Sequence, residues 1–216
     1  MSLDVIVGIL LCAAVVIVMY AVCSYPMYRR TSKVKAIASK LNLEFSDFGF
    51  SPLFPEKIHL FSKGHDRRFS NVLRGIQGNM EVHIFDYHYG PPGSGYKGWP
   101  GYTVVVIRMQ TLRIPEFSIV PRSVFYPLLR LFQDKGIKFD KSPGFAKSYL
   151  LQSSDERHIR LLFHHSVRFF YQFRKDVCTE GFGNTLVYYR AKGCLAPKHW
   201  PTLLKDAQEL AHLLNQ

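Results

Sequence analysis

The chain has 216 residues, 47% of them hydrophobic and 14% aromatic, so there is material for a packed core and disorder is not the default. All 28 Lys and Arg follow residue 28, whereas only one of the 16 acidic residues precedes it, which leaves the later part at 28 minus 15, or +13. Such a surface attracts anionic partners, lipid headgroups or nucleic acid. Cys12 and Cys23 lie in an apolar run and Cys178 and Cys194 are separated by fifteen intervening residues without His at ligand spacing, so a disulfide framework is excluded and free thiols are expected.

Val5 to Tyr25 reads VIVGILLCAAVVIVMYAVCSY, twenty-one residues without a charge. At about 1.5 Å per residue a helix of this length covers the roughly 30 Å core of a bilayer, so a transmembrane anchor is expected, with Val5, Ile9, Val16 and Tyr25 along it. Met1 to Asp4 has no basic residue, unlike a cleavable secretory signal. Arg29, Arg30, Lys33, Lys35 and Lys40 follow the run, which places the C-terminal part on the cytoplasmic side and near enough to an anionic leaflet to be drawn to it. Tyr25 and Tyr28 fit an interfacial belt, and Pro26 is expected to end the helix. The division is residues 1–30, anchor and basic flank, and 31–216, a soluble domain.

Ser32 to Leu43 places Val34, Ile37, Ala38 and Leu41 at helical spacing, with Ser32 as cap and Asn42 as stop. Phe45 to Pro55 reads as loop. Phe69 to Leu73, a turn over Gly75 to Asn79, and MEVHIFDYHY with its period-two alternation predict a hairpin. The Gly/Pro-rich stretch Gly90 to Gly101 is expected to be an exposed loop, followed by a strand over Tyr102 to Gln110 and a short one over Phe117 to Val120.

Arg122 to Lys135 predicts a helix closed by Gly136, and Ile137 to Phe139 and Ser148 to Leu151 look extended. Ser153 with Glu156 three residues on reads as a capping box opening one helix that carries Ile159, Leu162, Phe163 and Phe170 on one face. Asp176 to Glu180, the turn GFGN and Thr185 to Arg190 predict a second hairpin. Leu203, Leu204, Ala207, Leu210, Ala211 and Leu214 form an apolar stripe behind Pro201. Helices and antiparallel hairpins without a strand-helix-strand rhythm make the class α+β, with mainly antiparallel strands.

Chemistry-bearing clusters are few. His83, Asp86 and His88 share one strand, and Asp86 with His88, two apart, share a face and could offer an oxygen and a nitrogen to a metal, which gives a metal-dependent hydrolase as the alternative reading. No third ligand completes the set, so neither a metal nor a cofactor is expected. GxSxG and GxxxxGK[ST] do not occur, and no nucleic-acid-binding motif is found, which disfavours an enzyme, a nucleotide site and a nucleic acid partner. Tyr96, Lys97 and Trp99 in the Gly/Pro loop, with Tyr102 beside it, suit contact with headgroups or a protein partner. The leading expectation is a non-enzymatic accessory or scaffold protein whose basic domain binds a protein partner or anionic lipid.

FDYHY with TVVVIR after it, then PEFSIVPRS, PGFAKSYLLQSSDERHIRLLF and TEGFGNTLVYYR, form a set by which the chain resembles bacterial single-pass membrane proteins catalogued only as a domain of unknown function. The likeness covers roughly residues 31–214 and is most specific over Pro143 to Phe163. It implies a single anchor at the inner membrane and a mixed domain, and brings no activity, ligand or catalytic residue with it.

Overall fold

The run of residues 80–90 turns its two faces to different layers, and every side chain from Val82 to Tyr87 is buried. A computed structural model describes residues 3–47, 57–62, 66–90, 101–125, 136–139 and 142–216, excepting the side chains of residues 3–7, 9, 21–24, 26, 124 and 125. Eight strands, β1 (Glu44–Ser46), β2 (Asp66–Gln77), β3 (Met80–Gly90), β4 (Gly101–Met109), β5 (Ile114–Pro121), β6 (Tyr149–Ser153), β7 (Val177–Gly183) and β8 (Thr185–Arg190), form one antiparallel sheet in the order β1-β2-β3-β4-β8-β7-β5-β6. The helices are α1 (Leu3–Leu41), α2 (His59–Ser62), α3 (Arg122–Phe125), α4 (Pro143–Ser148), α5 (Glu156–Leu162), α6 (His165–Gln172) and α7 (Trp200–Leu214). The α+β class is therefore observed.

Strand parity sorts the core into two layers. Val82 and Ile84 of β3, Val105 and Ile107 of β4, and Leu186 and Tyr188 of β8 meet the helices, including Val34, Ile37 and Ala38 of α1 and the whole expected stripe of α7. Phe85, Tyr87, Val104, Val106 and Val187 point the other way, onto Ile58 and the α2 residues Leu60 and Phe61. The unbroken apolar run of β4 is what a strand covered on both sides requires.

Register defines two ends of the sheet. Gly90, Gly101, Arg190, Val177, Pro121 and Tyr149 mark one, and Gln77, Met80, Met109, Thr185 and Ile114 the other. The first is the near end, because α1 arrives there. Its Arg30 meets Asp86 and Thr103, while eleven residues later the Leu41 carbonyl accepts from Gln77 Nε2 (2.9 Å) at the far end. α1 therefore runs from the near end toward the far end, and the residues before Arg30 head out past the near end.

Several local expectations are corrected. The helix does not stop at Pro26 and restart at Ser32: α1 is continuous, since burial of Val34, Ile37 and Ala38 on the sheet outweighs the one donor that a proline removes. β2 runs through Gly75, and only Gly78 and Asn79 turn, with Gly78 at φ +62°. A Cβ at Gly75 would lie 2.8 Å from Leu43 Cδ2, so that glycine makes room for α1's end rather than for a turn. Part of the expected loop after Phe45 is β1.

The single helix expected from Ser153 is two. Asp155, not Ser153, caps α5 by accepting from the His158 amide (3.0 Å), and the extended backbone of His164 separates α5 from α6. The break lets Phe163, Val167, Phe170 and Tyr171 all reach the core. Arg168 fastens it, donating to the Phe163 carbonyl and to Ser142 Oγ. Of the helix expected over residues 122–135, Arg122–Phe125 is helical and the remainder lies outside the described residues.

Candidate functional site

A polar cluster forms where α1 meets the near end of the sheet. Arg30 lies one turn before Val34 and so shares the face that α1 buries, and Asp86 lies in phase with the core residues Val82 and Ile84. Two opposite charges are thereby turned toward one interior. Asp86, 1% exposed, accepts Arg30 Nε and Nη2 (2.7 Å each), Asn71 Nδ2 (3.0 Å) and Thr103 Oγ1 (2.9 Å). Burial pulls the Arg30 guanidinium down, yet hydrogen bonding to Asp86 and its charge together carry it above its ordinary value.

The surroundings are built to hold this pair. Asn71 sits at a β-bulge with φ +54°, a left-handed conformation that Asn tolerates, and the bulge aims its amide at Asp86 while its oxygen accepts from Thr31 Oγ1 (2.8 Å). Arg30 Nη2 also donates to the Leu195 carbonyl (2.8 Å), and the Leu195 amide donates to Thr103 Oγ1 (2.9 Å). Trp200, fully buried at the start of α7, lies 5.9 Å under the guanidinium. One arginine on α1 thus ties β2, β3, β4 and the 191–199 segment together.

His88, the next residue on Asp86's face, is 3.6 Å from Cys194 Sγ. Burial pushes its imidazole below the ordinary value, against the pull of Asp86 and with Arg30 and Arg68 adding to the fall. Burial likewise pushes the Cys194 thiol up to about 12, with Asp86 adding. Gly101 permits this packing, because a Cβ there would lie 2.4 Å from His88 Cδ2.

The expected metal pair is accordingly engaged otherwise: both Asp86 oxygens are occupied by four donors, and His88 faces a neutral thiol. His83 is on the opposite face and contacts Glu81 Oε1 (2.8 Å). Among the described residues no group of three His, Cys, Asp or Glu gathers at metal-binding distance.

The other expected site residues separate. Arg29 is exposed over the Tyr25 ring (5.3 Å) and Lys35 over Phe45 (4.9 Å), while Lys33 and Lys40 are exposed along α1. Val16 and Tyr25 are exposed, and Val5 and Ile9 belong to α1 with side chains outside the described residues. Tyr96, Lys97 and Trp99 lie outside the described residues, whereas Tyr102 stacks on Tyr89 (6.3 Å). Sequence reasoning missed Arg30's inward role and Glu180, which is buried on the sheet's other face and accepts from the Leu60 amide and Tyr189 Oη (3.2 Å each).

These features define an α+β protein with one helical layer, entered by a long N-terminal helix that is pinned at an arginine–aspartate cluster. No protein-family model and no curated protein sequence matches the chain. Among solved structures it is similar to the crystal structure of the mycobacterial trehalose monomycolate transport factor A, TtfA, with a TM-score of 0.58 and 11% identity over 86% of this chain and 94% of that one. At that identity the likeness is one of fold.

Among the described residues no helix is long and apolar enough to cross a membrane. The apolar part of α1 is described in its side chains at Gly8, at residues 10–20 and at Tyr25, all exposed.

Proposed function

We propose that the chain is a non-enzymatic accessory or scaffold protein, held at the inner face of a bacterial plasma membrane by the first part of α1. Its basic domain binds a protein partner or anionic lipid. The observation that carries this reading is the two-part character of one continuous helix. From Val15 to Tyr20 six successive apolar side chains are exposed, and at about 100° per residue they cover every side of the helix, whereas Val34, Ile37 and Ala38 further on are core. A helix apolar all round needs an apolar solvent, and residues 5–25 match a bilayer's thickness. The basic residues from Arg29 on set the domain on the cytoplasmic side.

Continuity into the core makes α1 a stalk without a flexible linker, so the near end faces the bilayer. Arg29 then stands at headgroup level, while Lys40, eleven residues on, is about 16 Å deeper into the cytoplasm, beyond a Debye length. The fold shared with a transport factor is consistent with an accessory role.

Membrane fractionation of cells followed by alkaline carbonate extraction tests the anchor, and protease added to intact cells tests the side. The chain is expected in the carbonate-resistant pellet, with its C-terminal domain protected. Release into the supernatant, or digestion from outside, overturns the reading.

A further inference from the structure

At the near end, beside the place where Arg30 holds the Leu195 carbonyl, the surface opens into a recess of about 420 Å³ lined by Arg122, Lys147, Lys175, Asp176 and Lys192 among others. Lys192 is three residues from Leu195, at most about 11 Å along the chain, so the recess adjoins the point where α1 leaves the domain.

The charges here differ from those elsewhere in how they are spent. Arg174 and Arg190 are tied to Asp206, and Arg174 also to Glu209, which clamps α7 to the sheet. Lys192 reaches the one carboxylate of the recess, Asp176, at 2.7 Å and remains 75% exposed, whereas the exposed Lys147 and Lys175 pair with no carboxylate among the described residues. Two residues before Lys175 in the chain, Phe173 is 70% exposed and packs in a tilted arrangement on the half-exposed Phe169, with ring centroids 4.6 Å apart. Neighbouring cations with an aromatic ring held out to solvent match the chemistry of a headgroup layer, where ammonium groups meet phosphates and rings enter the boundary of the acyl chains.

We infer that this recess and Phe173 form a second membrane contact, in which Lys147, Lys175 and Lys192 take the phosphates of anionic lipid headgroups in the bilayer that carries the anchor. The inference rests on the anchor reading above and adds a site and a ligand class to it. Two attachments, the stalk and the recess, fix the tilt of the domain.

The full-length Phe173→Trp chain is reconstituted in phosphatidylcholine vesicles with and without phosphatidylglycerol, each containing a lipid with a nitroxide quencher near the headgroup. The fluorescence that the substitution adds over the parent chain is followed, and flotation is measured in the same samples. Quenching of that added fluorescence is expected only with phosphatidylglycerol, weakening at high salt. The docking equilibrium should fall about fivefold for each of Lys147→Gln, Lys175→Gln and Lys192→Gln. The three lysines are exposed, and an unchanged circular dichroism spectrum confirms that the variants fold.

A chain that floats with the vesicles but shows no quenching, or quenching indifferent to phosphatidylglycerol and to the lysines, overturns the second contact and leaves the anchor standing. A recess that docks a protein gives this result. A chain that does not float overturns both.

Discussion

Replacing Asp86 by Ala removes the acceptor at the centre of the α1 junction. It strands a guanidinium whose side chain is only 25% exposed, together with the Asn71 amide and the Thr103 hydroxyl. Breaking a buried pair from one side costs about 3–5 kcal/mol, and because Arg30 can regain some water through its exposed quarter the lower end applies, about 3 kcal/mol. For a domain of this size that lowers Tm by about 6–12 °C. The assay is thermal unfolding of the full-length chain in detergent, followed by near-ultraviolet circular dichroism around Trp200. Arg30→Ala with Asp86→Ala should cost less than the sum of the two by about 2 kcal/mol, since neither charge is then left alone. A Tm shift under about 2 °C for Asp86→Ala, or strict additivity in the double variant, would refute the claim that this pair fixes the helix to the sheet.

Gly101→Ala should destabilise by about 1–3 kcal/mol in denaturant titrations, because its Cβ overlaps the His88 ring, and adding His88→Ala should recover most of the loss. His88 is a base depressed by burial, so acid protonates the unfolded chain first. Stability should fall as pH drops below about 6.5, toward the lower folded value, and His88→Gln should flatten that part of a plot of denaturation midpoint against pH. Cys194 is held as a thiol by a pKa near 12. Alkylation at mildly alkaline pH, read by peptide mass spectrometry, should be at least about a hundredfold slower at Cys194 in the folded chain than after denaturation, and equal rates would show the site to be open.

Elements whose signal is local were legible in the sequence. Residues 80–84 alternate because Met80, Val82 and Ile84 face the helical layer while Glu81 and His83 lie on the other face, and α7's stripe of Leu and Ala repeats at helical spacing, so each could be read within a window of its own length. The junction was not, since Arg30 and Asp86 are 56 residues apart and each alone resembles an ordinary polar residue. A signal was nevertheless present. Arg30, Val34, Ile37 and Leu41 recur along one helix face, and Asp86 falls in phase with Met80, Val82 and Ile84, so each strand or helix pattern contained one charge on its core side. Opposite charges that break two apolar patterns are partners for one another before they are ligands for a metal. The break between α5 and α6 had no such sign, because it is made by Arg168 reaching the Phe163 carbonyl and by the sheet's demand for Phe163, a tertiary cause.

The division of work between the two basic residue types follows from their chemistry. Arginine's planar fork suits paired acceptors and weak hydration lets it enter an interior, and here Arg30, Arg174 and Arg190 consume Asp86, Asp206 and, through Arg174, Glu209 in joining helices to the sheet. Lysine keeps its hydration and remains outside. Because the arginines draw these carboxylates inward, Lys147 and Lys175 are left without a counter-charge among the described residues, on the end of the sheet from which α1 departs. The large positive charge beyond residue 28 is therefore unevenly spent. What fastens α1 to the sheet is neutral in sum, and what the same end of the sheet leaves exposed at Lys147 and Lys175 is not.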